Sequence, residues 1–312
     1  MPSKRRGPLA TSTGPQATSL TTHDWAGLVA SLKRKTCVPV LGAGVNYGLL
    51  PLGGEIARTL SARDKYPLDD ASDLMRVAQY VAVMRDNAMA PKREVLEILS
   101  AALRAKEGSR QFAKALGEST QPLALLAQLP VPVYITTNYD DLLIRTLRLH
   151  RKDPHRDYCR WNTWLRHFRP ADQLPEPTAE RPLVYHLHGS DQEERSIVLT
   201  EDDYLDFLAN LSKWPDMIPP RIQEALSGSL LFIGYRIADW SFRTLIRGIN
   251  AEIEDSVRQV SVAIQLRPQD AGPHSEKTVE YLNKYYRKMN IRTYWGEAGK
   301  FSRDLWTRWR NA

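Results

Sequence analysis

The chain has 312 residues, with 43 Lys and Arg against 36 Asp and Glu, a net charge of +7 and 42% hydrophobic residues. That length can bury a substantial core, and the composition excludes wholesale disorder. No run of about 18 apolar residues occurs, which excludes a transmembrane helix. Two cysteines, Cys37 and Cys159, exclude a disulfide framework and a four-cysteine zinc site and fit a reducing cytoplasm. The positive charges are spread along the chain, so a solvated mixed surface is the plain reading. Direct nucleic-acid binding stays open but has no local patch behind it.

Residues 1–21 are basic, rich in Ser, Thr, Pro and Gly, and almost free of acids. They read as a flexible arm; a transit peptide is the lesser alternative, and no signal-peptide core is present. A helix is expected from Thr22, as its cap, to about Lys35, with Trp25, Leu28, Val29 and Leu32 on one stripe. Residues 37–41 read as a buried strand running into a glycine turn, with Pro39 placed where no ladder bond is needed. Helix follows over 55–63 and, more strongly, over 70–116, a helical insertion of about 66–120. A short apolar helix over 123–129 precedes a strand at 131–137 and a helix from Leu142 to about His150. Residues 152–180 look irregular. Strands are expected at 183–188, 197–200, 229–234, 260–264 and from Ile291, with helices around Tyr204 to Leu211, from Asp239, and at the Trp-rich C-terminus.

Short apolar strands alternating with helices imply an α/β, Rossmann-like fold, a mainly parallel sheet with helices on both faces, built from residues 22–312. Ligands in such folds sit at the carboxyl ends of the strands. Four strands end there in polar or glycine-rich turns. Gly42-Ala43-Gly44 can either admit a phosphate or simply turn tightly; the region about 20 residues on, where a dehydrogenase ends its second strand in an acid, reads as helix, which disfavours a dehydrogenase. Asn138, after two threonines, can cap the next helix or hold a water or a ribose hydroxyl. His186 and His188, two apart on a strand, are expected on one face. The other histidines have no ligand spacing, so no metal is expected, and a histidine before a Gly-Ser turn suits proton transfer.

Together VLGAG (40–44), TTNYD (136–140), HLHGS (186–190), LTEDDY (199–204) and FIGYRIADWSF (232–242) resemble, in order and spacing, the sirtuin-like family. The likeness is to its bacterial branch, whose members hydrolyse NAD in anti-phage defence. The resemblance covers about residues 24–300. It implies that Gly42, Ala43 and Gly44 face the NAD diphosphate, and Asn46 lies where the family often has Ser. Asn138 then orients the attacking group at the nicotinamide ribose, Asp140 lines the nicotinamide pocket, His188 is the catalytic base and Gly234 contacts the adenosine ribose. Thr137, Gly189 and Ser190, at the same strand tips, complete the candidate substrate-binding set. His186 has no counterpart and reads as a core histidine; Asp239 and Trp240 are typical of the branch without an assigned role.

The four-cysteine zinc module of sirtuin deacylases is missing, and the helical stretch stands in its place. Water thus becomes the expected acceptor, with nicotinamide and ADP-ribose as products, or a cyclised form. The resemblance also implies a restrained enzyme, homo-oligomeric, and switched on by an associated protein such as a ring-forming ATPase or a nucleic-acid-guided protein. No sensor segment is recognisable beside the fold. Trp295, Trp306 and Trp309 can serve either an interface or ordinary core packing. The alternatives are a sensor that binds NAD or ADP-ribose without turnover, a zinc-free deacylase or ADP-ribosyltransferase, and a nucleic-acid-binding protein using the arm.

Overall fold

A computed structural model describes residues 20–167, 175–235, 259–267 and 275–312. The basic arm up to residue 19, and the helix expected from Asp239 with Trp240, lie outside the described residues. The elements in chain order begin with α1 (Thr22–Lys33), β1 (Cys37–Leu41), α2 (Gly53–Asp64), α3 (Leu74–Met84), α4 (Ala90–Lys106), α5 (Arg110–Gly117), α6 (Pro122–Gln128) and β2 (Val133–Thr136). Next come α7 (Leu142–Leu149), β3 (His155–Tyr158), β4 (Leu183–His186), α8 (Glu201–Lys213), α9 (Pro220–Ser227) and β5 (Ser229–Ile233). The described chain closes with β6 (Ser261–Gln265), α10 (Ser275–Arg287), β7 (Ile291–Trp295) and α11 (Ala298–Asn311).

Seven strands form one parallel sheet in the order β3-β4-β2-β1-β5-β6-β7. Helices cover both faces, as expected of a Rossmann-like α/β fold. Alternate strand residues feed opposite layers. Tyr134, Val184, Leu231 and Ile264 pack with α1, α6, α7 and α11, while Ile135, Tyr185, Phe232 and Ala263 pack with α8, α9 and α10. A third cluster joins Ile56, Leu60, Val77 and Val95 of α2, α3 and α4 to Ile197 and Leu199. Trp306 and Trp309 pack against the first core, and Trp295 against the second. Among the described residues no helix is long and apolar enough to cross a membrane.

Local chemistry explains most boundaries. Thr21, one residue before the expected cap, caps α1: its hydroxyl accepts from the Asp24 N–H at 3.1 Å, and the Asp24 carboxylate accepts from the Thr21 N–H at 2.9 Å. Pro39 is tolerated in a central strand for a geometric reason. The Leu41 carbonyl faces β2 and accepts from Thr137 N–H. Pro39, two residues back, presents its nitrogen to the same side, below Val40 and Ile135 where the ladder with β2 begins.

Two sequence expectations are corrected. β3 falls in the stretch read as irregular; it is a half-solvated edge strand, His-Arg-Asp-Tyr, with no apolar run to announce it. Residues 197–200 form no strand; they are a buried connection whose Leu199 and Thr200 N–H groups are both accepted by Asp203 at 3.0 Å.

Candidate functional site

The strand order reverses between β1 and β5, so their carboxyl ends flank the crevice where ligands of such sheets bind. Two loops meet there, backbone against backbone. Gly42 N–H donates to Ile233 O at 2.9 Å and Gly44 N–H to Gly234 O at 3.0 Å. A Cβ on Gly42 would lie 2.7 Å from the Gly234 oxygen, and one on Gly44 would lie 2.9 Å from the Gly234 Cα. Gly234 itself has φ +83 and no room for a side chain against Val45. This docking by itself accounts for the glycines at 42, 44 and 234. Ala43, between the first two, is exposed.

Asn138 is tied to the same loop. Its side-chain amide donates to Gly42 O at 3.3 Å, and its backbone N–H donates to the Thr136 hydroxyl at 3.0 Å. It does not cap the next helix. Asp140 does that, accepting from Leu142 N–H at 3.0 Å with one carboxylate oxygen and from the Asn46 amide at 2.9 Å with the other. Withdrawal from water pushes the Asp140 carboxyl up to about 6; the Leu142 N–H opposes the rise and the Asp141 and Asp191 carboxylates add to it. Asn46 is buried behind it, and its carbonyl oxygen has no hydrogen-bond partner. Asp140 alone of the expected site residues lies on the wall of a cleft of about 170 Å³, with Asp141, Asp191 and Arg145 facing Leu99 and Leu103 of α4.

β4 ends at His186, and the chain turns before His188, so the two rings do not share a face as expected. His186 Nδ1 lies 2.8 Å from the Asn138 carbonyl. His188 instead packs edge-on against Tyr204 and Phe207 of α8, with ring centroids 5.3 and 5.4 Å away. Burial pushes its imidazole down to about 4, so it is neutral near pH 7, and its Nε2 has no hydrogen-bond partner. Gly189 has φ +89 and is pressed against Ser196, leaving no space for a Cβ. Ser190 is fully buried and consumed by the turn: its N–H donates to the Ser196 hydroxyl at 2.9 Å, and its own hydroxyl donates to Asp191 at 3.1 Å.

Asn138 and His188 come from neighbouring strands but do not hydrogen-bond to each other. Tyr139, Tyr204 and Tyr235, to which the sequence assigns no role, lie close to the expected site residues. The Thr137 and Tyr235 hydroxyls pair at 2.9 Å, and the Tyr235 ring lies over Gly42. Tyr139 donates its hydroxyl to Val198 O at 2.7 Å. Burial raises the Tyr139 and Tyr235 hydroxyls, and the neighbouring Tyr204 raises both further. Tyr204 and Tyr235 lie inside motifs visible in the sequence, and that was their only signal. Among the described residues no three His, Cys, Asp or Glu side chains are grouped to hold a metal ion.

Comparison with known proteins agrees with this architecture. The model of the SIR2-like domain family matches residues 132–294, which carry Asn138, Asp140, His188 and Gly234. The chain is 24% identical over 242 residues to the NAD(+) hydrolase ThsA of Acinetobacter baumannii (strain 532279), covering 74% of this chain and 43% of that protein. It is 28% identical over 141 residues to the NAD(+) hydrolase ThsA of Enterococcus faecium, covering 43% and 26%. The NAD(+) hydrolase ThsA of Bacillus cereus (strain MSX-D12) is 28% identical over 146 residues, covering 45% and 27%. The chain thus spans less than half the length of these curated relatives. With a parallel α/β sheet, the strand-tip motifs and a family match over more than half its length, this chain belongs to the SIR2-like family.

Proposed function

We propose that this protein is an NAD+ hydrolase that cleaves the nicotinamide–ribose bond to give nicotinamide and ADP-ribose. The observation that carries the reading is the bond between Asn138 and Gly42, which ties the TTNYD tip to the glycine turn at the switch point. Relatives named as NAD(+) hydrolases support it.

The leaving nicotinamide is cationic, and its departure develops positive charge on the ribose. Asn138 positions a water near the anomeric carbon. His188, neutral at working pH, accepts a proton from that water or from a ribose hydroxyl, a role worth typically 10²–10⁴-fold. Asp140, on the cleft wall, binds the nicotinamide amide or offsets the growing charge. Gly42, Ala43, Gly44 and Gly234 shape the diphosphate and adenosine end, with Asn46 and Thr137 beside them.

In this reading the protein acts in the cytoplasm as an anti-phage effector that depletes NAD once a partner or an assembly of its own copies activates it. The Tyr235–Thr137 contact over Gly42 and the buried His188 support a resting state that must open. Purified protein is incubated with NAD, alone and with co-expressed genomic neighbours, and nicotinamide release is followed. The expected result is release that Asn138→Ala or His188→Ala abolishes.

A sensor that binds NAD or ADP-ribose without turnover is the second reading, favoured by the absence of a hydrogen bond between Asn138 and His188. It is adopted if NAD binds but no state of the protein releases nicotinamide. Acceptor-dependent release would instead mark a zinc-free deacylase or ADP-ribosyltransferase.

A further inference from the structure

We propose that His186, the histidine without a family counterpart, is a positioning residue that holds Asn138 in its working orientation through the Asn138 carbonyl. The inference rests on the hydrolase reading for its catalytic consequence, but not for its geometry. A carbonyl oxygen can only accept, so the 2.8 Å contact assigns the proton to His186 Nδ1 and leaves a bare lone pair on Nε2. That nitrogen is buried with no hydrogen-bond partner, in a residue 1% exposed. Burial pushes the imidazole down to about 4; the Asn138 carbonyl opposes this, Arg156 lowers it further and Asp141 raises it, so the ring is neutral near pH 7.

A buried, unsatisfied ring nitrogen is costly, and an aliphatic side chain would fill the same space without that cost. What an aliphatic residue cannot supply is the Nδ1–H donor. With it, Asn138 is held at three points: its N–H by Thr136, its carbonyl by His186 and its amide by Gly42. The Thr136 hydroxyl is itself anchored, donating to Leu41 O at 3.2 Å. The two peptide groups flanking Asn138 are therefore held, one from β2 and one from β4, while its side chain spans to the β1 loop. An error of about 1 Å in such a group can cost about 10²-fold in rate.

The test compares His186→Leu, which removes the donor, with His186→Asn, whose amide nitrogen can take the place of Nδ1. Nicotinamide release from NAD, NAD binding and unfolding are measured on the full chain in the activating conditions found for wild type. His186→Leu is expected to lower kcat about 10- to 100-fold with KM within about 3-fold, and His186→Asn to recover most of the rate. Equal kcat in the folded Leu variant, or no recovery in a folded Asn variant, overturns the proposal. Should wild type release no nicotinamide in any condition, the hydrolase reading itself fails. The positioning is then decided by NMR of the Asn138 side-chain amide: His186→Leu is expected to shift it toward a mobile amide and His186→Asn to restore it. Unchanged resonances in both variants overturn the inference.

Discussion

The hydroxyl of Tyr235, just beyond β5, meets the hydroxyl of Thr137, just beyond β2, at 2.9 Å, with β1 lying between those two strands. The bond therefore bridges the crevice at the switch point, and the Tyr235 backbone is held from behind by Gln265, whose amide donates to its carbonyl at 2.8 Å.

A ligand that enters over Gly42 has to displace this pair. Tyr235→Phe keeps the ring and loses the bond, which is worth about 0.5–1.5 kcal/mol. NAD affinity is expected to rise by up to about tenfold, with a small fall in the urea midpoint. Calorimetric titration of wild type and variant checks this; weaker binding in the variant would make the hydroxyl a ligand contact instead.

The buried pair between Lys92 of α4 and Asp203 of α8, at 2.8 Å, pins the helical layer to the loop that precedes α8. Lys92→Met leaves Asp203 only its N–H partners at Leu199 and Thr200, and is expected to cost roughly 3–5 kcal/mol. Asp203→Asn, which also breaks the cap, should cost at least as much. Equilibrium urea unfolding at pH 7 measures both.

Glycine substitutions separate packing from flexibility. Gly234→Ala is expected to destabilise by more than about 2 kcal/mol or prevent folding, because its Cβ meets the Gly42 loop at a positive φ. Gly27, in the exposed interior of α1 with nothing near its Cβ, should respond oppositely, gaining about 1 kcal/mol as Ala. Thermal unfolding of the two variants side by side provides the comparison.

Acid should weaken the fold through its buried histidines. His186 and His188 titrate at about 4 when folded, below the ordinary 6.5, so their contribution is present above 6.5 and lost as pH falls through 4. Each is worth on the order of 3 kcal/mol. Asp140 works in the other direction: raised to about 6, its contribution is present below the ordinary 3.8 and lost as pH rises through 6. Asp140→Asn removes that offset, so its stability should fall more steeply than wild type between pH 6 and 4. Denaturant midpoints at half-unit pH steps test the difference in slope.

Much of the architecture was readable in the chain. The apolar runs at 37–41, 133–136, 229–233 and 261–265 need burial on both faces, and that requirement alone implies a parallel sheet clad in helices. β3 carries no apolar period because its one buried side chain, Asp157, is charged and paired with Arg160. Residues 197–199 resemble a strand because all three are buried, but Ile197 and Leu199 serve the α2–α4 cluster and Val198 the α8–α9 core rather than a ladder.

The residue types of the candidate site, an amide at 138, a carboxyl at 140, an imidazole at 188 and glycines at 42, 44 and 234, were likewise visible at strand ends. Their partners were not. Asn46 meets Asp140 across 94 residues, Asn138 meets Gly42 across 96 and Thr137 meets Tyr235 across 98. Local pattern decides which segments become strands, because burial period and turn chemistry act over a few residues. Strand order and the turn after His186 bring distant tips together, and only there does the imidazole of His186 face Asn138 while that of His188 faces Tyr204.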